Sequence, residues 1–131
     1  MMKKLFLTLA ILIVASVSYS VKASSNNASI LFKNQSDYTM VLRIVGINGG
    51  LYTTVSLPAH SSRTVNFGNT ATYKLKIKAT HYGKTSYHDG GNFSVTCNNY
   101  EYTEGVMSFM MSTYGTGLGP SISANEFMSD N

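Results

Sequence analysis

From Tyr73 to Ala79 every second residue is apolar: Tyr73, Leu75, Ile77 and Ala79 alternate with Lys74, Lys76 and Lys78. Side chains two apart share a face only in extended backbone. The stretch therefore reads as a β-strand with one buried face and one wet face. The same period returns at Arg63–Phe67, where Val65 and Phe67 share a side, and at Phe93, Val95 and Cys97, which alternate with Ser94 and Thr96. Helical periodicity is nearly absent beyond the N-terminal segment.

Turn chemistry divides these strands. Thr39–Val45 and Leu51–Leu57 flank Asn48-Gly49, the pair preferred in a type I′ hairpin turn. That turn sets Ile44 opposite Thr53, Leu42 opposite Val55 and Met40 opposite Leu57, gathering the apolar residues on one face and leaving Arg43, Thr54 and Ser56 on the other. Ser29–Lys33 reads as an earlier strand, followed by a turn at Asn34–Asp37, and Pro58–Ser62 breaks the chain again. Gly68-Asn69-Thr70 is either a three-residue loop aligning Val65 with Tyr73 or a corner between two sheets. His81–His88 predicts a short hairpin over Gly83-Lys84, and Asp89-Gly90-Gly91 a further turn. Glu104–Ser112 reads as a last strand with two apolar faces, Val106 and Met110 on one, Met107, Phe109 and Met111 on the other. Gly115–Pro120 is a flexible link, and Ser123–Asp130 a single helical turn with Ser123 and Glu126 at capping-box spacing. Seven or eight short strands without intervening helices predict an all-β antiparallel sandwich, with a closed barrel as the alternative.

Met1-Met2-Lys3-Lys4, the apolar run Leu5–Val17 and the small-residue exit Val21-Lys22-Ala23 before Ser24 have the layout of a secretory signal peptide. Ser18-Tyr19-Ser20 is a second exit. The run is shorter than the roughly 20 apolar residues of a membrane-spanning helix. The expected organisation is a leader at 1–23 and one domain at 24–131, with a flexible tail from about residue 115. The whole chain is formally +4, but Lys3, Lys4 and Lys22 fall in the leader, leaving seven basic against six acidic side chains, a formal +1. This balance gives no case for a nucleic-acid partner. Cys97 is the sole cysteine, so no intramolecular disulfide forms. Its place on an apolar strand face predicts a buried, unreactive thiol.

The segment His81, Tyr82, Lys84, Tyr87, His88 and Asp89 concentrates aromatic and polar groups, and these six are the candidate ligand-binding residues. A four-residue loop at Gly83–Ser86 would set His81 opposite His88. Their spacing, with Asp89, matches no metal-ligand pattern, so no metal is expected. No Gly-x-Ser-x-Gly elbow is present, and Gly115, Gly117 and Gly119 lack dinucleotide-loop spacing, so neither catalysis nor a cofactor is expected. The lysine stripe 74/76/78 reads as a solvated face that discourages edge aggregation. Tyr100, Tyr102 and Tyr114 also fall near predicted loops, and Met107, Met110 and Met111 read as core filling.

Leu51–Val65, a strand, a Pro/Ser turn and a second strand, is similar to segments of exported immunoglobulin-like sandwiches. Tyr87 followed by Gly90-Gly91-Asn92-Phe93-Ser94-Val95 resembles small secreted bacterial proteins. The resemblance implies a fold and no functional residue; the paired cysteines and tryptophan of immunoglobulin domains are missing here. The expected function is an exported, non-catalytic β-sandwich, periplasmic, on the cell surface or extracellular, that binds a glycan, an envelope component or a protein. The alternative is a membrane-active or toxin-like sandwich, for which the apolar strand Val106–Met111 is short against the about 9–11 residues of a transmembrane β-strand.

Overall fold

The alternating segments do fold as strands. A computed structural model describes residues 3–11, 13–22, 27–111 and 118–131, the first two stretches by backbone alone. Its elements are β1 (Lys3–Ile11), β2 (Ile13–Lys22), β3 (Ala28–Asn34), β4 (Thr39–Gly46), β5 (Leu51–Leu57), β6 (Ser62–Phe67), β7 (Ala71–His81), β8 (Lys84–Val95), β9 (Tyr102–Phe109) and the short helix α1 (Ala124–Met128). They make two sheets, ordered β1-β2-β9-β3-β6 and β5-β4-β7-β8. Neighbours run antiparallel except β3 and β9. The chain is an all-β sandwich, with two separate sheets rather than a closed barrel. The expected leader junction Ala23–Ser24 and the first part of the Gly-rich link, 115–117, lie outside the described residues.

Inward faces of both sheets supply one core. Ile30 and Phe32 of β3, Leu42 and Ile44 of β4, Leu75 and Ile77 of β7, Phe93 of β8, and Met107 and Phe109 of β9 are buried together. Phe32 stacks on Phe109 with centroids 6.2 Å apart and meets Phe93 edge-on at 6.3 Å, the two favoured aromatic geometries.

The β4–β5 register is as the sequence predicts, Met40 against Leu57, Leu42 against Val55 and Ile44 against Thr53. The turn is different. Positive φ falls on Gly49 and Gly50 rather than on Asn48, and Val45 pairs with Leu51, leaving Tyr52 as a bulge. Gly50 N–H donates to Asp130 O at 2.6 Å, so the C-terminus helps shape this loop. Gly68-Asn69-Thr70 is the corner between sheets, since β6 pairs with β3 while β7 pairs with β4 and β8.

Asp89-Gly90-Gly91, expected to reverse the chain, instead lies within β8, where the ladder with β7 slips between Lys74 and Lys76. Gly91 takes φ +85, its N–H is accepted by Asp89 Oδ1 at 2.8 Å, and the strand continues as a bulge. Gly90 faces the core so closely that a Cβ there would sit 2.9 Å from Leu75. Cys97, expected within the strand's buried face, lies just past β8 and is half-buried, because the chain is crossing there from one sheet to the other. Its N–H donates to Thr70 Oγ1 at 2.8 Å.

The expected flexible tail is packed from Leu118 onward. Leu118 and Phe127 are buried, Ser121 pairs with His88 along the edge of β8, and Ile122 N–H donates to Tyr87 O at 2.9 Å. Ser123 caps α1 as expected, its Oγ accepting from Glu126 N–H at 3.0 Å. The segment then lies as a strap over the outer face of the β4–β7–β8 sheet. That face was expected to be simply solvated. Lys76 is instead only 4% exposed, its Nζ donating to Glu126 O and Ser129 O at 2.7 Å each. Arg43 pairs with Asp130, donates to Met128 O at 3.2 Å and lies over the Phe127 ring. Two cations thus satisfy the carbonyls that the end of a helix leaves open.

Candidate functional site

The six sequence candidates do not form one site. The β7–β8 hairpin closes with a two-residue turn, Tyr82 at φ +51 and Gly83 at φ +75, the type I′ geometry. Tight closure pairs His81 with Lys84 and sets His88 opposite Ile77, four residues further down the strand. The four-residue loop that would have faced the two histidines does not form, because Tyr82 accepts a left-handed conformation beside glycine. Tyr87, His88 and Asp89 belong to the strap side. Tyr87 packs on Phe127 at 5.2 Å. His88 is buried, its two ring nitrogens engaged by Gly119 O at 3.2 Å and Ser86 Oγ at 2.8 Å. Asp89 N–H donates to Pro120 O at 2.9 Å.

His81 and Tyr82 sit at the opposite end of that hairpin, with Lys84 next to them. Tyr38, from the β3–β4 loop, packs against His81 with centroids 4.4 Å apart and planes tilted by 32°, and His81 against Tyr82 at 4.2 Å, tilted by 50°. Tyr82 is 92% exposed. These rings form a ledge whose last member stands in water. Asp37, the residue before Tyr38, accepts from His60 Nε2 at 2.6 Å, and both side chains are open to solvent. Three loops therefore bring aromatic, acidic and imidazole groups to one end of the sandwich.

Asn34 holds these loops in place. Its Nδ2 donates to the carbonyls of Tyr38, Leu57 and Pro58, and its Oδ1 accepts from Ser36 N–H and Oγ–H. Its own N–H donates to Ser61 O at 2.8 Å. One buried amide thus fixes the loop before Tyr38 and the loop that carries His60. In the sequence Asn34 reads only as a turn residue; its use by a second loop is a tertiary contact with no local signature.

A second concavity lies between β7, β8 and the strap. This cleft of about 260 Å3 is lined by Lys74, Lys76, Asp89, Asn92, Ile122 and Glu126. Burial pushes the Lys76 ammonium below its ordinary value, while Glu126, 4.0 Å away, acts in the opposite direction. The ammonium is committed to the strap carbonyls, which leaves Lys74, Asp89 and Asn92 as the cleft's remaining polar side chains on the sheet. Among the described residues, no group of three or more His, Cys, Asp or Glu side chains converges as a metal site, and no helix is long and apolar enough to cross a membrane. Comparison with protein-family models, curated proteins and solved structures finds no match to this chain.

Proposed function

We propose that the chain is an exported, non-catalytic β-sandwich that binds a glycan of the cell envelope through the loop end carrying Tyr38, His81, Tyr82, Asp37 and His60. The observation that carries this reading is the row of touching rings Tyr38, His81 and Tyr82, with Tyr82 held in water by a tight turn. An aromatic ring in water gains nothing from its apolar area, and the His81 ring packed against Tyr82 reduces the entropy lost on binding. A pyranose offers a face of C–H groups ringed by hydroxyls. Its C–H face matches the Tyr82 ring, and its hydroxyls suit the Asp37 carboxylate and the imidazoles. Export is supported by the basic, apolar and small-residue segments of residues 1–23.

Binding of the mature protein to purified envelope polysaccharides tests the site. Tyr82→Ala should weaken binding about tenfold, the size of one well-placed aromatic contact, and leave the melting temperature unchanged. Tyr87→Ala should do the reverse, lowering the melting temperature through its lost packing on Phe127 while sparing binding. Equal binding by Tyr82→Ala and the parent would remove the ledge from the function. N-terminal sequencing of the exported protein should begin at Ser24, and a retained Met1 would end the export reading.

A further inference from the structure

We propose that once the leader is removed, the outer edge of β9 pairs with the same edge of a second copy of this chain, antiparallel and centred on Val106. The inference rests on the export reading, because in the intact chain that edge is taken. There β2 runs antiparallel along it, from Lys22 opposite Tyr102 to Val17 opposite Met107. All of β2 precedes the Ala23–Ser24 junction. Among the described residues, the strands beside β9 in its sheet are β2 and β3, and Cys97 bridges to Tyr102 at its start. Cleavage therefore strips an eight-residue strand of one partner and leaves a row of backbone N–H and C=O groups unpaired.

The other edges differ. The edge of β8 is covered by residues 120–122 of the strap, through Asp89 N–H to Pro120 O and Ile122 N–H to Tyr87 O. The edge strand β5 is interrupted by the Tyr52 bulge, and β6 is six residues long and carries Arg63. These are familiar ways of blunting an edge. In contrast β9 has no proline, lysine or arginine and a single charge, Glu104, and its ladder with β3 runs from Glu104 to Phe109 without a register shift.

A second copy satisfies this edge by symmetry. A two-fold axis perpendicular to the sheet pairs identical strands antiparallel, the polarity with which β2 already occupies the edge. Residues opposite one another must face the same side, so the axis passes through a residue. Through Val106 it sets Met107 against Gly105 of the second copy, Ser108 against Glu104, and Phe109 against Thr103. An axis through Glu104 would place two carboxylates face to face, which is unfavourable. Val106 also points away from the core, since its neighbours Met107 and Phe109 set the inward face. It is half-buried and stands beside Leu31 in the β3–β9 ladder. The Val106 axis thus joins two Leu31–Val106 pairs into one apolar strip across the junction. A contact built on one strand pair falls at the weak end of specific interfaces, below the usual ~1,200 Å2, so a reversible dimer is expected.

The chain beginning at Ser24, expressed directly without its leader, tests this by sedimentation equilibrium over a range of concentrations. Its core lies between Ala28 and Phe127, and far-ultraviolet circular dichroism checks that it is folded. The mass should rise from one chain to two with concentration. Val106→Lys sets two ammonium groups on the axis and should hold the mature chain at one-chain mass with its spectrum unchanged. Val106→Cys with Cys97→Ser should form a disulfide-linked dimer on oxidation. A mature chain that is unfolded, or of one-chain mass at every concentration, overturns the proposal. So does a Val106→Lys variant that dimerises as well as the parent. Because this protein is made without export, its behaviour is separable from N-terminal sequencing, whose failure would remove the leader reading instead.

Discussion

Tyr73 shows how one residue joins packing to pH dependence. Its ring lies in a cluster with Tyr52, Phe67 and Phe93 at centroid distances of 5.1 to 5.5 Å. Burial raises the phenol above its ordinary value, and the neighbouring Tyr52 adds to the shift. The folded state therefore holds this proton more tightly than the unfolded chain does. Its contribution is fully present below pH 10.0, the unfolded value, and is lost as pH climbs toward the higher folded value. Tyr73→Phe should flatten the alkaline limb of a stability–pH curve measured by urea unfolding; an unchanged limb would show that other groups set it. The alternation placed Tyr73 on the buried face at once. The Tyr52 beside it was not legible, because the bulge that turns it there arises from the Gly49-Gly50 loop and its bond to Asp130.

Among the elements, β8 departs furthest from its sequence reading. Asp89-Gly90-Gly91 has the composition of a reversal, yet the chain passes through it and stays paired with β7. Turn residues supply conformational freedom, and neighbouring strands decide how it is used. Here Gly91 absorbs the bulge and Gly90 admits Leu75 and Ile77 against the backbone. Gly90→Ala should cost about 1–3 kcal/mol, the usual penalty of overpacking, read as a lower urea midpoint with an unchanged slope. A neutral substitution would mean that Leu75 relaxes into free space. The strap's Ser123–Glu126 cap was legible because capping is local. Its docking was not, since Lys76 and Arg43 look like solvent-facing residues until the helix carbonyls arrive to meet them.

For the whole molecule, one core is shared by both sheets, with Phe32 and Phe109 from one and Phe93 from the other in contact. The strap adds only Phe127 as a buried apolar side chain on the outer face of the β4–β7–β8 sheet, so neither sheet has a large core of its own. The mature chain should therefore unfold in a single calorimetric transition whose van't Hoff and calorimetric enthalpies agree. Two separated transitions would show that the sheets are independent. The loop end is likewise a whole-molecule property. Tyr38, His60 and Tyr82 are far apart in sequence, and the connections between strands deliver them to one place, where Asn34 fixes two of the loops.

Features carried by neighbouring residues are legible in the chain: the two-residue period of the strands, the β4–β5 register, the helix cap and the all-β class. Such features depend on local backbone geometry and on which face is apolar, and both are written in adjacent positions. The sheet order, the parallel β3–β9 pair, the bulge in β8 and the strap over Lys76 and Arg43 come from contacts between segments distant in the chain. Each depends on a free energy shared between distant segments. Backbone groups must be paired and buried charges met, and the partner that does so leaves no mark on the residues beside them.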